Sequence, residues 1–200
     1  MKRLAGKGRN MSDLFDKYVR ALDEFGRRVH EVRPDQWDNQ TPCTEWDVRT
    51  LVNHIVGEQL WAPYLLAGRT MEEVGGRFDG DVLGDDPGSA WDNAAADARA
   101  AFGRAGALEG TVHLSYGDDE AETYARQMIT DLTVHAWDLA RGIEADDTLD
   151  RALVERVHDW TVPQADALAS TGLFAPPVPT ASDAPVQART LAMFGRDPHE

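Results

Sequence analysis

Cysteine is nearly absent: Cys43 is the single one in 200 residues. One thiol cannot form a disulfide within its own chain. The fold must therefore rest on its core, and a reducing cytoplasm is the expected address. Basic residues are also scarce. Lys and Arg total 20 against 35 Asp and Glu, a formal charge of −15. A surface that acidic repels phosphate backbones and anionic bilayers, so neither nucleic acid nor a membrane is expected as a partner. No apolar run approaches the roughly 20 residues needed to span a bilayer. Residues 1–10 are basic but lack an apolar stretch behind them, so they are not a secretory signal. They are expected to be a disordered extension or the remnant of an upstream start, with a single domain over residues 11–200. Gly-rich phosphate loops, Gly-x-Ser-x-Gly elbows and Cys-x-x-Cys pairs are missing as well.

Helical periodicity is abundant. Met11 to Val32 places Leu14, Tyr18, Leu22, Phe25 and Val29 on one stripe, and Arg33-Pro34 ends it. Pro34 to Cys43 is expected as a loop. Thr44-Glu-Trp-Asp47 has capping-box form and predicts a helix over Glu45–Leu66. Met71 to Gly88 is expected as a surface loop with one helical turn at Met71–Val74. Ser89 is expected to cap a helix over Ala90–Gly103. Thr111 to Tyr116 is expected to be extended, followed by an acidic turn, Gly117–Glu120. A long helix is predicted over Glu120–Arg141. Another runs Leu149–Leu168, with Leu149, Leu153, Val157, Trp160 and Val162 inward, and Pro163 kinks or splits it. An extended Phe174–Thr180 tail and a short helix over Ala184–Phe194 close the chain. Four long helices plus short pieces predict an all-α bundle.

Two helices carry candidate ligands. Asp131 and His135 are four residues apart, hence on one helical face. His54 stands on the second helix, with Glu58 one turn later. His54, Asp131 and His135 together would form a His₂-carboxylate site with coordination positions open, the arrangement of a catalytic metal. Zinc is the first choice from ligand type, with nickel, iron and manganese admitted. Glu58 is placed as a fourth ligand, as a general base acting on metal-bound water, just outside the site, or simply on the solvent face. The plain alternative for Asp131 and His135 is a local hydrogen-bonded pair. Asp138, three residues after His135, could orient a ligand or pair with Arg141, and the surface ion pair is the plainer expectation; a small buried hydrophobe with no basic neighbour is expected for Cys43. Trp46 and Trp137 are expected in the core or the cleft wall.

These residues sit in longer strings: Trp37-x₃-Thr41-Pro-Cys-Thr-Glu-Trp-Asp-Val48, Leu51-Val-Asn-His54, Asp131-Leu-Thr-Val-His135-Ala-Trp-Asp-Leu-Ala140 and Ala192-Met-Phe-Gly-Arg-Asp-Pro198. Together they resemble the actinobacterial metal-binding proteins related to the N-terminal domain of mycothiol-dependent maleylpyruvate isomerase, within the DinB-like or YfiT-like superfamily. The resemblance implies an up-down-down-up four-helix bundle with short extra C-terminal helices and a divalent metal at one end. It also places His54 at the first ligand position and Asp131 and His135 at a Glu-x-x-x-His pair. Asp in place of Glu is a departure that shortens the ligand by one methylene. The superfamily includes thiol-dependent transferases acting with mycothiol, bacillithiol or glutathione, and for those the resemblance implies a metal that holds the thiol as thiolate. The isomerase has a further C-terminal domain, and this chain ends soon after its last short helix, so isomerisation itself is not expected. Three expectations stand together: a metal-dependent enzyme (a thiol S-transferase or a hydrolase), with mycothiol as co-substrate and a small-molecule thiol or electrophile as partner; a non-catalytic metal- or thiol-binding or sensing protein; and a bundle whose site has decayed. Relatives also make a homodimer an option.

Overall fold

The stripe that starts at Met11 lies on helix α1, Lys2–Glu31, whose bounds also take in residues 2–10. Leu14, Tyr18, Leu22, Phe25 and Val29 are buried along it. The computed structural model describes residues 2–166 and 175–197, with side chains from residue 11 onward. It is mainly helical. After α1 come α2 (Val48–Leu65), the single turn α3 (Met71–Val74), a 3₁₀ turn at Gly75–Phe78 and α4 (Pro87–Phe102). A two-stranded hairpin follows, β1 (Thr111–Leu114) and β2 (Gly117–Glu120), then α5 (Ala121–Gly142), α6 (Arg151–Thr161) and α7 (Val186–Met193). Helix α1 packs on α5 and α4, and α2 packs on α4 and α5, so the core fills the space these four long helices share.

Several starts and stops differ from expectation, each for a local reason. Helix α2 begins at Val48, and Asp47 is itself the cap, its Oδ1 accepting from the Thr50 amide at 2.7 Å. Thr44 does not cap it, because the Trp46 amide donates to the Cys43 carbonyl and Gln40 pairs with Asp47. Helix α4 is capped by Asp86, which accepts from both the Ser89 amide and the Ser89 hydroxyl; Pro87 fills the first turn, where no amide is needed. The acidic Gly117–Glu120 stretch is a strand rather than a turn, registered Thr111↔Glu120 to Leu114↔Gly117. It tolerates its charges because they lie at the surface, where Asp118 meets His113 across the ladder at 2.7 Å. Pro163 does split the sixth helix: α6 stops at Thr161 and a 3₁₀ turn covers Val162–Gln164. That turn rotates Val162 outward to 50% exposure, against the expected inward position. The expected continuation to Leu168, the start of the tail at Phe174, Pro198 and His199 lie outside the described residues.

Two features bring remote segments onto α5. Residues 36–49 are pinned to its C-terminal end: Gln36 Nε2 donates to the Ile143 carbonyl at 2.7 Å and Asn39 Nδ2 to the Gly142 carbonyl at 2.9 Å. Gly142 permits this, since a Cβ there would stand 2.9 Å from Val48 and 3.0 Å from Thr41. The second feature is the chain reversal after α7. Gly195 adopts φ +78°, and a Cβ on it would meet Ala175 at 2.5 Å. The turn sends Arg196 back into the protein, where it is 5% exposed. Gly195→Ala combines a left-handed backbone penalty with a clash, and is expected to cost about 2–5 kcal/mol in urea unfolding. An unchanged unfolding midpoint would show that Gly195 is not required for the turn.

Candidate metal centre

Helix α5 is buried over most of its C-terminal half, so a polar residue there needs a partner. Asp131 finds two. Its Oδ2 lies 3.3 Å from His54 Nε2 on α2, and its Oδ1 lies 3.4 Å from His135 Nε2 one turn on. The three residues each offer a ligand atom, all within 4.8 Å of one another. Ligands about 2.1 Å from a tetrahedral zinc stand roughly 3.4 Å apart, which is the spacing of the two Asp131 contacts with the imidazoles. The side chains are 30% exposed at His54, 23% at Asp131 and 5% at His135, so the group opens to solvent on the α2 side. Thus the three residues singled out from helical spacing converge.

Glu58 is half-buried rather than on the solvent face. Burial raises its carboxyl above the ordinary range, Asp131 raises it further and His54 opposes the shift. Its electrostatic neighbours are therefore two of the three candidate ligands. Trp46, brought in by the pinned 36–49 segment, forms the wall. Its ring centroid is 4.7 Å from that of His54 and 5.5 Å from that of His135. Trp137 is in the core with Arg141 over its ring.

Asp138 faces His135 rather than Arg141, and Cys43 departs from expectation. Asp138 is fully buried and does not pair with Arg141, which instead reaches Asp147. It accepts from His135 Nδ1 at 2.9 Å and from Arg196 Nη2 at 2.7 Å. Cys43 has a basic neighbour after all: burial pushes its thiol up, and the nearby Arg196 charge opposes this, with Asp138 adding to the rise. The residue missed in the search for site groups is Arg196. Its only signal was its place in the closing Ala192–Pro198 string, because 58 residues separate it from Asp138.

Electrostatics around the triad follow from these contacts. Burial disfavours the Asp131 charge, but the charge and hydrogen bond of His135, then those of His54, outweigh it and hold the carboxyl well below the usual range. Burial likewise disfavours charged His135, yet Asp131 and then Asp138 raise it to about 9. Without a metal the pair is thus a carboxylate and an imidazolium.

Residues 18–140 match the family described as the mycothiol maleylpyruvate isomerase N-terminal domain. The chain belongs to that family. Two uncharacterised proteins from two strains of Mycobacterium tuberculosis are each 34% identical to it over 145 residues, 70% of this chain and 73% of theirs. No solved structure matches. His54, Asp131, His135 and Asp138 all fall inside the span matched to the isomerase-domain family, and Arg196 falls outside it.

The raised His135 pKa sets a pH dependence. In the unfolded chain His titrates near 6.5 and in the folded chain near 9. Its contribution to stability is complete below about 6.5 and is lost as pH rises to about 9. Metal-free protein should therefore melt progressively lower across pH 6.5–9, and His135→Gln should flatten that slope. The proton also competes for Nε2, so apparent zinc affinity should rise over the same interval, with proton release on binding. A pH-independent affinity in zinc competition titrations would contradict the assignment.

Proposed function

We propose that this protein binds one divalent metal through His54, Asp131 and His135 and uses it to activate a low-molecular-weight thiol, or water, for attack on an electrophilic small molecule. The observation that carries this reading is the convergence of three ligand atoms from two helices at a partly open position. Zinc is preferred for its two imidazoles and one carboxylate, with nickel, iron and manganese as alternatives. Family membership supports a thiol of the mycothiol type as co-substrate. The same reading takes the helices as a DinB-like, up-down-down-up bundle and the cytoplasm as the site of action. Among the described residues no helix is long and apolar enough to cross a membrane.

A bound cation would lower the pKa of a coordinated thiol or water and so supply a nucleophile at neutral pH. The protein's own groups have distinct tasks. His54 and His135 present neutral Nε2 atoms, and Asp131 supplies the one anionic ligand. Glu58 accepts the proton that leaves the nucleophile; burial and the Asp131 charge make its carboxylate more basic than an exposed one. Trp46 covers the imidazoles and restricts water on that side. A non-catalytic binding or sensing role is the second reading, and the position of Glu58 favours catalysis over it. A decayed site is the third; the existing contacts of Asp131 with both His rings would then be its whole purpose.

Elemental analysis of protein purified without chelator should give about one equivalent of metal, and His54→Ala and His135→Ala should lose it. Equal metal content in all three would end the metal reading. With a thiol and a chromogenic aryl chloride, Glu58→Gln should retain the metal and lower the metal-dependent rate about 10²–10⁴-fold. Metal bound without any metal-dependent rate would favour the binding role.

A further inference from the structure

We propose that Arg196 is a positioning residue of the metal centre, acting on the ligand His135 through Asp138 and so making the strip after the last helix part of the site. The inference rests on the metal reading above and goes beyond its three ligands. It begins with which nitrogen of His135 is free. Nδ1 lies 2.9 Å from Asp138 Oδ2, and a carboxylate only accepts, so Nδ1 carries the hydrogen. In the neutral ring that leaves a lone pair on Nε2, the nitrogen that faces Asp131 Oδ1 at 3.4 Å. Asp138 therefore decides whether His135 presents a lone pair or a hydrogen to the metal position.

Asp138 in turn is aimed by Arg196. The guanidinium grips both carboxylate oxygens: Nε lies 3.2 Å from Oδ1 and 3.3 Å from Oδ2, and Nη2 lies 2.7 Å from Oδ2. A two-point grip sets the carboxylate plane, which a single contact leaves free to rotate. Oδ2 is the oxygen shared between Arg196 and His135 Nδ1, so turning the carboxylate breaks the contact that orients the ring. Arg196 is itself anchored, with Nη1 donating to the Phe194 carbonyl at 2.7 Å and its amide to the Leu191 carbonyl at 3.1 Å. Both members are almost fully shielded, Asp138 at 0% and Arg196 at 5% exposure, so no solvent substitutes for either. The chain of contacts runs from the end of α7, through Asp138, to the metal-facing nitrogen. Arg196 lies beyond residues 18–140, the span that matches the family model, and its role is assigned from these contacts.

The test uses the full chain loaded with zinc or cobalt(II). Arg196→Gln removes the grip, Arg196→Lys keeps the charge with one-point contact, and Asp138→Asn keeps an acceptor for Nδ1 while weakening the hold of Arg196. Zinc affinity by chelator competition should fall about 10–100-fold in Arg196→Gln, with partial recovery in Arg196→Lys. The cobalt(II) ligand-field spectrum should shift in Arg196→Gln, a change that mere loss of stability would not produce. If Arg196→Gln fails to fold, Asp138→Asn carries the same comparison, with weaker zinc binding expected. Wild-type affinity and spectrum in every folded variant would overturn the proposal while leaving the metal site intact. A wild-type protein that binds neither ion would overturn both.

Discussion

A carboxylate lodged among packed helices keeps its charge only when cations or strong donors surround it, and Asp131 is that carboxylate here. Burial works against its ionisation, and the two imidazoles, one from its own helix and one from α2, reverse the balance. The arrangement ties α2 to α5 at the point where both turn polar faces toward one another. It also leaves the group with a choice of counter-charge, either a proton on His135 or a divalent ion among the three side chains. The same contacts that stabilise the metal-free protein thus prepare the ligand set.

The surrounding structure keeps that group from relaxing. The 36–49 segment is fastened to the end of α5 through Gln36 and Asn39, and this carries Trp46 over both His rings. The turn at Gly195 carries Arg196 onto Asp138 behind His135. Neither segment is among the long helices, yet each sets an orientation that those helices alone leave free. Glu58 adds a second carboxyl, whose proton affinity is raised by burial first and then by the Asp131 charge. Ionisable groups that shift one another's proton affinity thus cluster at one partly exposed position between α2 and α5.

Much of this was legible in the residues. The stripe through Leu14, Tyr18, Leu22, Phe25 and Val29 names a buried helix face because apolar side chains recur at the helical period. The Asp131–His135 spacing names a shared face for the same reason. Caps were less legible: the local pattern points to Thr44 as the cap of α2, and Asp47, whose backbone bridges to Gln40, is the cap instead. It points to Ser89 as the cap of α4, and Asp86 takes that place with Pro87 in the first turn. The outward turn of Val162 depended on how the chain continued past Pro163.

The sequence by itself determined the helices and the candidate ligands, because periodicity and spacing are local and survive without knowledge of neighbours, and its longer residue strings carried the family resemblance. Tertiary structure alone decided the company those ligands keep. Asp138 resembles a surface residue three positions from Arg141, and it is in fact the deepest charge of the centre, held by an arginine 58 residues away. A buried carboxylate must be paired, but chain separation says nothing about which cation will do it. Only the packing of α7 and the Gly195 turn against α5 answers that, and with it the question of which nitrogen of His135 faces outward.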